Sequence, residues 1–121
     1  MFRLLQGDVG SGKTIVSLLS AINTIKSGFQ VAFMAPTEIL ARQHYNLAKK
    51  IFSSDINIEL ISGKSEYKTK KELLKKLENN KIDMIFGTHA IFQKKVIFKK
   101  LGLIIIDEQH KFGVNQRKRL S

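Results

Sequence analysis

There is no cysteine among these 121 residues, no tryptophan, and only one proline. Without cysteine the chain has no disulfide and no thiolate metal site, a usage that fits a reducing cytoplasm. A single proline beside 43% hydrophobic residues describes a globular domain rather than a disordered segment. No apolar run approaches the ~20 residues needed to span a bilayer, and no leader pattern opens the chain, so no membrane association is expected. His44, His89 and His110 lack metal-ligand spacing to one another. No Gly-x-Ser-x-Gly elbow is present to support acyl transfer.

Acidic residues are also scarce, 10 against 21 Lys and Arg, for a net charge of +11. Residues 1–60 hold six basic and four acidic side chains, whereas residues 61–121 hold fifteen and six, a charge of +9. A half so basic invites a polyanionic partner, nucleic acid first. Lysine-rich helices with merely solvated faces would give the same count, so charge alone leaves both readings open.

What the chain does have is Gly7-Asp8-Val9-Gly10-Ser11-Gly12-Lys13-Thr14, which fits G-x-x-x-x-G-K-[ST] at every fixed position. The three glycines let successive N–H groups point inward at phosphate oxygens. A helix opening just after them adds its N-terminal partial positive charge. Lys13 is expected to reach the β- and γ-phosphates of ATP, and the Thr14 hydroxyl to ligate Mg²⁺. A Gly/Ser-rich surface turn would not be flanked by apolar strand residues and a helical apolar stripe, and both are present.

Near the other end, Leu103-Ile104-Ile105-Ile106 delivers Asp107-Glu108. Mg²⁺ takes carboxylate and water oxygens, so Asp107 is expected to hold it, directly or through water, opposite Thr14. Glu108 is then placed to orient and deprotonate the water that attacks the γ-phosphate. A small-molecule kinase is disfavoured, since no acceptor site is evident.

Between these motifs, apolar and amphipathic segments alternate, which predicts an α/β fold with a mostly parallel sheet and helices on both faces. Strands are expected at Phe2–Leu5, Gln30–Ala35, Ile56–Ile61, Ile82–Phe86 and Leu103–Ile106. One helix should run from Lys13 to Lys26 on Ile15, Leu18, Leu19, Ile22 and Ile25, ending at Gly28. A second, capped by Thr37, should run from Glu38 to Phe52 and bury Leu40, Leu47, Ala48 and Ile51. A third should start at a Thr69–Glu72 capping box, bury Leu73, Leu74 and Leu77, and break at Asn79-Asn80. Lys70, Lys71, Lys75 and Lys76 would face water. In such sheets ligands bind beyond the strands' carboxyl ends. The phosphate loop, Thr37, Gly63, Thr88 and Asp107-Glu108 all fall at those ends.

These residues together resemble a known family. Arg3 through Thr14 resembles motif I of superfamily 2 helicases, in the wording of the ATP-dependent DNA branch-migration helicases. Ala35-Pro36-Thr37-Glu38-Ile39-Leu40-Ala41-Arg42-Gln43-His44 resembles motif Ia, Gly87-Thr88-His89-Ala90 the motif Ib region, and Asp107-Glu108-Gln109-His110-Lys111-Phe112-Gly113-Val114 motif II. The translocase module of the transcription-repair coupling factor shares part of this wording and is the nearest alternative. A basic nucleic-acid-binding module with a vestigial nucleotide loop is another.

The resemblance implies a RecA-like first motor domain that binds ATP·Mg²⁺ and couples hydrolysis to movement on DNA, remodelling forks and Holliday junctions. It implies that Thr37 and Thr88 contact the DNA phosphate backbone and that Gly63 lets the backbone approach it. Gln109 and His110 would link the nucleotide site to the DNA side, with His110 counted among the catalytic residues. Thr37 and Thr88 are equally suited to capping helices. The family's wedge domain, motif III and second RecA-like domain with its arginine are not in the sequence. Residues 1–121 are therefore expected to be a partial ATP-binding domain, incomplete on its C-terminal side, of an otherwise monomeric cytoplasmic motor. Alone it should bind ATP weakly and hydrolyse it barely.

Overall fold

The computed structural model describes residues 3–7, 11–64, 66–93 and 96–107, with side chains from residue 16 onward. Among the described residues, five strands and four helices follow one another as β1 (Arg3–Gly7), α1 (Ser11–Lys26), β2 (Gln30–Ala35), α2 (Glu38–Ile51), β3 (Ile58–Leu60), α3 (Tyr67–Glu78), β4 (Met84–Thr88), α4 (His89–Phe92) and β5 (Leu101–Asp107). The strands form one sheet in the order β1-β5-β2-β4-β3, every pair parallel. Parallel neighbours need crossovers, and the amphipathic helices supply them.

Strand residues alternate between two cores, as a pleat of period two requires. Val31, Phe33, Met84, Phe86, Leu103 and Ile105 meet Leu18 and Ala21 of α1 and Ala48 of α2 on one face. Ala32, Ile85 and Ile104 meet Leu73 and Leu77 of α3 and Ile91 of α4 on the other. Phe33 and Phe86, both fully buried, stack with ring centroids 5.2 Å apart. Each such ring contributes roughly 1.5–3 kcal/mol through burial alone.

The predicted α/β class, the parallel sheet and the two helical layers are therefore present. Boundaries differ in instructive ways. β1 and β5 run on to Gly7 and Asp107, because each is paired with the other to its last residue. β3 is only three residues long, and β4 begins at Met84 and ends at Thr88. The short helix α4 gave no periodic signal in four residues.

Two helices depart from expectation. In α2 the buried residues are Ala41, His44 and Ala48, while Leu40 and Leu47 are only partly buried and Ile51 is 41% exposed. Ala48 is buried as expected, and the alanines let the helix lie close on the sheet, which turns Ala41 and His44 inward in place of Leu40 and Ile51. In α1, Leu19 is 54% exposed while Ala21 is fully buried. The Thr69–Glu72 capping box does not form. Helix α3 starts at Tyr67, after Glu66, without a side-chain cap hydrogen bond. With α3 starting at Tyr67, Thr69 already lies inside the helix.

Candidate functional site

Because all five strands are parallel, their carboxyl ends share one rim. Across that rim, in sheet order, come Gly7, Asp107, Ala35, Thr88 and Leu60. Gly7 and Asp107 are register partners, neighbours in the ladder at the last residue of β1 and β5. Helix α1 opens four residues after Gly7, with Ser11, Gly12, Lys13 and Thr14 in its first turn. The phosphate-loop sequence thus leaves the sheet directly beside the strand that ends in the acid. Asp8, Val9, Gly10, Glu108, Gln109 and His110 lie outside the described residues.

Asp107 is completely buried, a costly position for a carboxylate unless donors face it. His44 faces it, with Nε2 3.0 Å from Asp107 Oδ2. His44 is itself 8% exposed, and its ring packs on Phe33 with centroids 4.6 Å apart. The sequence placed His44 at the end of the motif Ia segment and among histidines without metal spacing, and gave it no role at the site. The signal was there: it falls three residues after Ala41 and four before Ala48, a polar side chain on the buried stripe of α2.

Farther along the rim, Thr37 caps α2, its Oγ1 accepting the Leu40 N–H at 3.2 Å. Thr88 precedes α4 and makes no side-chain cap hydrogen bond. The two threonines therefore differ: capping explains Thr37 locally and does not explain Thr88. Ala35 and Thr88 are register partners, which brings the motif Ia and Ib segments side by side.

Gly63 is engaged by a group that the sequence reading had not considered. Its N–H donates to Glu38 Oε2 at 2.7 Å, and the Ser62 hydroxyl donates to Glu38 Oε1 at 2.8 Å. The Lys64 N–H donates to Ser62 Oγ, and the Lys70 ammonium to the Gly63 carbonyl, each at 3.0 Å. A Cβ on residue 63 would stand 2.9 Å from Glu38 Oε2, so glycine is what lets the carboxylate sit there. The Ser62 hydroxyl foremost, then the Gly63 amide, holds the Glu38 carboxyl below its ordinary range, with smaller help from Lys64 and Arg42.

Outside this rim, Gln30 is a buried polar residue with a structural duty. Its Nε2 donates to the carbonyls of Leu77 and Ile82, both at 2.9 Å, and its Oε1 accepts the Lys100 N–H at 2.8 Å. It ties the end of α3 to the chain just ahead of β4 and β5, at the amino ends of the strands. No helix among the described residues is long and apolar enough to cross a membrane.

The phosphate-loop sequence leaves β1 beside the acid at the end of β5, and one family model covers both motifs. The model for DEAD/DEAH box helicases matches residues 3–121. This chain belongs to the DEAD/DEAH box helicase family. Among DEAD/DEAH box helicases it is similar to the ATP-dependent DNA helicase RecG of Borreliella burgdorferi, 54% identical over 121 residues that make up 99% of this chain and 18% of that protein. RecG of Aquifex aeolicus is 52% identical, with 99% of this chain and 15% of the relative covered. A solved structure of RecG bound to a three-way DNA junction matches with a TM-score of 0.79 at 50% identity, over 91% of this chain and 15% of that one. The fold is thus the RecA-like one that the motifs implied. The chain spans less than a fifth of the length of these relatives.

Proposed function

We propose that this chain supplies the ATP-binding part of a DNA helicase motor of the RecG kind, one that remodels branched DNA in recombination and repair. The observation that carries the reading is the pairing of Gly7 with Asp107 at the carboxyl ends of adjacent strands. It supports a site in which the residues of the phosphate loop and the acid of motif II face the same ligand.

The residues present suit ATP·Mg²⁺. A glycine-rich sequence ahead of the first turn of a sixteen-residue helix offers backbone donors and a helix dipole to phosphate. A buried carboxylate held by His44 offers a fixed, hard oxygen ligand. In this reading the amides of Gly7 through Gly12 cradle the phosphates and Lys13 neutralises their charge. Thr14 and Asp107 would hold the metal, and Glu108 would take the proton of the attacking water. Bound Mg²⁺ would spread the charge that develops on the phosphate oxygens. Thr37, Gly63 and Thr88 would meet the DNA backbone, and Gln109 and His110 would connect the two regions.

Binding of a fluorescent ATP analogue, with and without Mg²⁺, tests the proposal. Mg²⁺-dependent binding that disappears in Lys13→Ala supports it. Salt-sensitive DNA binding indifferent to both nucleotide and Lys13→Ala would instead mark a nucleic-acid-binding module with a vestigial loop.

A further inference from the structure

We propose that His44 is a positioning residue for Asp107, fixing its carboxylate so that the strand end presents a pre-set ligand to Mg²⁺. This inference rests on the ATP·Mg²⁺ reading of the site and adds to it a residue outside the phosphate loop and motif II. Three observations carry it. The His44 Nε2 to Asp107 Oδ2 contact is 3.0 Å, between side chains 10% and 0% exposed, so water competes little for either partner. The imidazole cannot swing away, because it packs on the Phe33 ring on one side and belongs to a helix seated by Ala41 and Ala48. His44 lies 63 residues from Asp107 in sequence, so the bond joins helix α2 to the far end of β5.

The chemistry follows from how carboxylates are used around metals. An Asp side chain rotates about two bonds, and a metal or its water shell needs an oxygen at one place. A donor bonded to the ligand from behind removes that rotation before the metal arrives. Losing such a partner typically lowers metal affinity about 10–100-fold. For His44 to play this part, its Nε2 must carry the proton, as a donor to the carboxylate.

The test titrates Mg²⁺ into the chain with a fluorescent ATP analogue. Wild type is compared with His44→Phe, which keeps the stacking on Phe33 and lacks the donor, and His44→Gln, which keeps a donor N–H. Melting curves on the same samples report folding. The Mg²⁺ concentration for half-maximal binding should rise about 10–100-fold in the Phe variant and return toward wild type in the Gln variant. Binding in EDTA, which reads the phosphate loop alone, should stay at the wild-type level in both.

An unchanged Mg²⁺ requirement in His44→Phe overturns the proposal, and so does a Gln variant no better than the Phe variant. Equal losses with and without Mg²⁺ overturn it too, since they mark a merely structural side chain. Should the Phe variant fail to fold, the wild-type imidazole still decides. A long-range ¹H–¹⁵N correlation must show the Nε2–H tautomer, and the Nδ1–H form overturns the bond. A wild-type chain that ignores Mg²⁺ and nucleotide altogether fails differently, because it removes the ATP reading itself.

Discussion

Glu38 places a carboxylate near Lys64 and Arg42, and the Ser62–Gly63 turn, which also takes the Lys70 ammonium, closes around it. A carboxyl whose pKa is lower folded than unfolded contributes stability that is complete above its unfolded value, about 4.3 for Glu. That stability is lost as pH falls through the depressed folded value. Glu38→Gln should therefore lower Tm near neutrality, and the gap from wild type should close as pH drops through the carboxylate range. A gap of constant size from neutral to acid pH would show that the charge of Glu38 does not hold the turn. Gln30 makes a second residue-scale case, one with no charge involved. Replacing it by Leu keeps the volume and strands the Leu77 and Ile82 carbonyls and the Lys100 N–H. Chemical denaturation should show a loss of about 2–4 kcal/mol, because buried backbone groups without partners cost far more than the net worth of a hydrogen bond.

Helix ends were read well where a single residue sets the backbone and poorly where tertiary contacts do. Gly28 has φ 94°, with its N–H on the Ile25 carbonyl at 2.9 Å and the Phe29 N–H on Thr24 at 3.2 Å. Asn80, at φ 62°, closes α3 in the same way, through Leu77 at 3.2 Å and the Lys81 N–H on Lys76 at 2.8 Å. Both stops follow from the left-handed conformation, which Gly and Asn tolerate, and both were legible. So was the Thr37 cap, which depends on residues three apart. The start of α3 was not legible, because the Glu38-bound turn fixes where the chain enters it. The partnership of His44 and Asp107 was hidden for a related reason: no local pattern announces a contact across 63 residues. Gly28→Ala should destabilise the fold by roughly 1–2 kcal/mol, whereas Asn80→Gly should be neutral or slightly stabilising. Urea midpoints of the two variants give the comparison. Equal losses at both positions would mean that strain is not what these residues relieve.

At the scale of the molecule, strand order sorts the motifs along the rim: the phosphate loop and Asp107 at one end, Thr37 and Thr88 midway, Ser62 and Gly63 at the other. The sequence placed all of them at strand ends, but their order along the edge exists only once β5 inserts between β1 and β2. That order also divides the lysines that composition could not separate. Helix α3 begins just after the rim turn, where Lys70 reaches the Gly63 carbonyl, and runs away from the rim. Lys64 and Lys68 therefore sit near the proposed DNA face, while Lys75 and Lys76 sit in the last turn. At 1.5 Å per residue the gap from Lys68 to Lys76 is about 12 Å, longer than the ~8 Å screening length at physiological salt. Replacing Lys64 and Lys68 with Gln should weaken duplex binding and flatten the plot of log K against log salt by about 0.9 for each phosphate no longer neutralised. The same change at Lys75 and Lys76 should leave affinity and slope near wild type, as expected of a solvated face. Titrations at several salt concentrations separate the outcomes: equal weakening from both pairs would mean that DNA feels the basic half as a diffuse field and that the rim does not organise the binding.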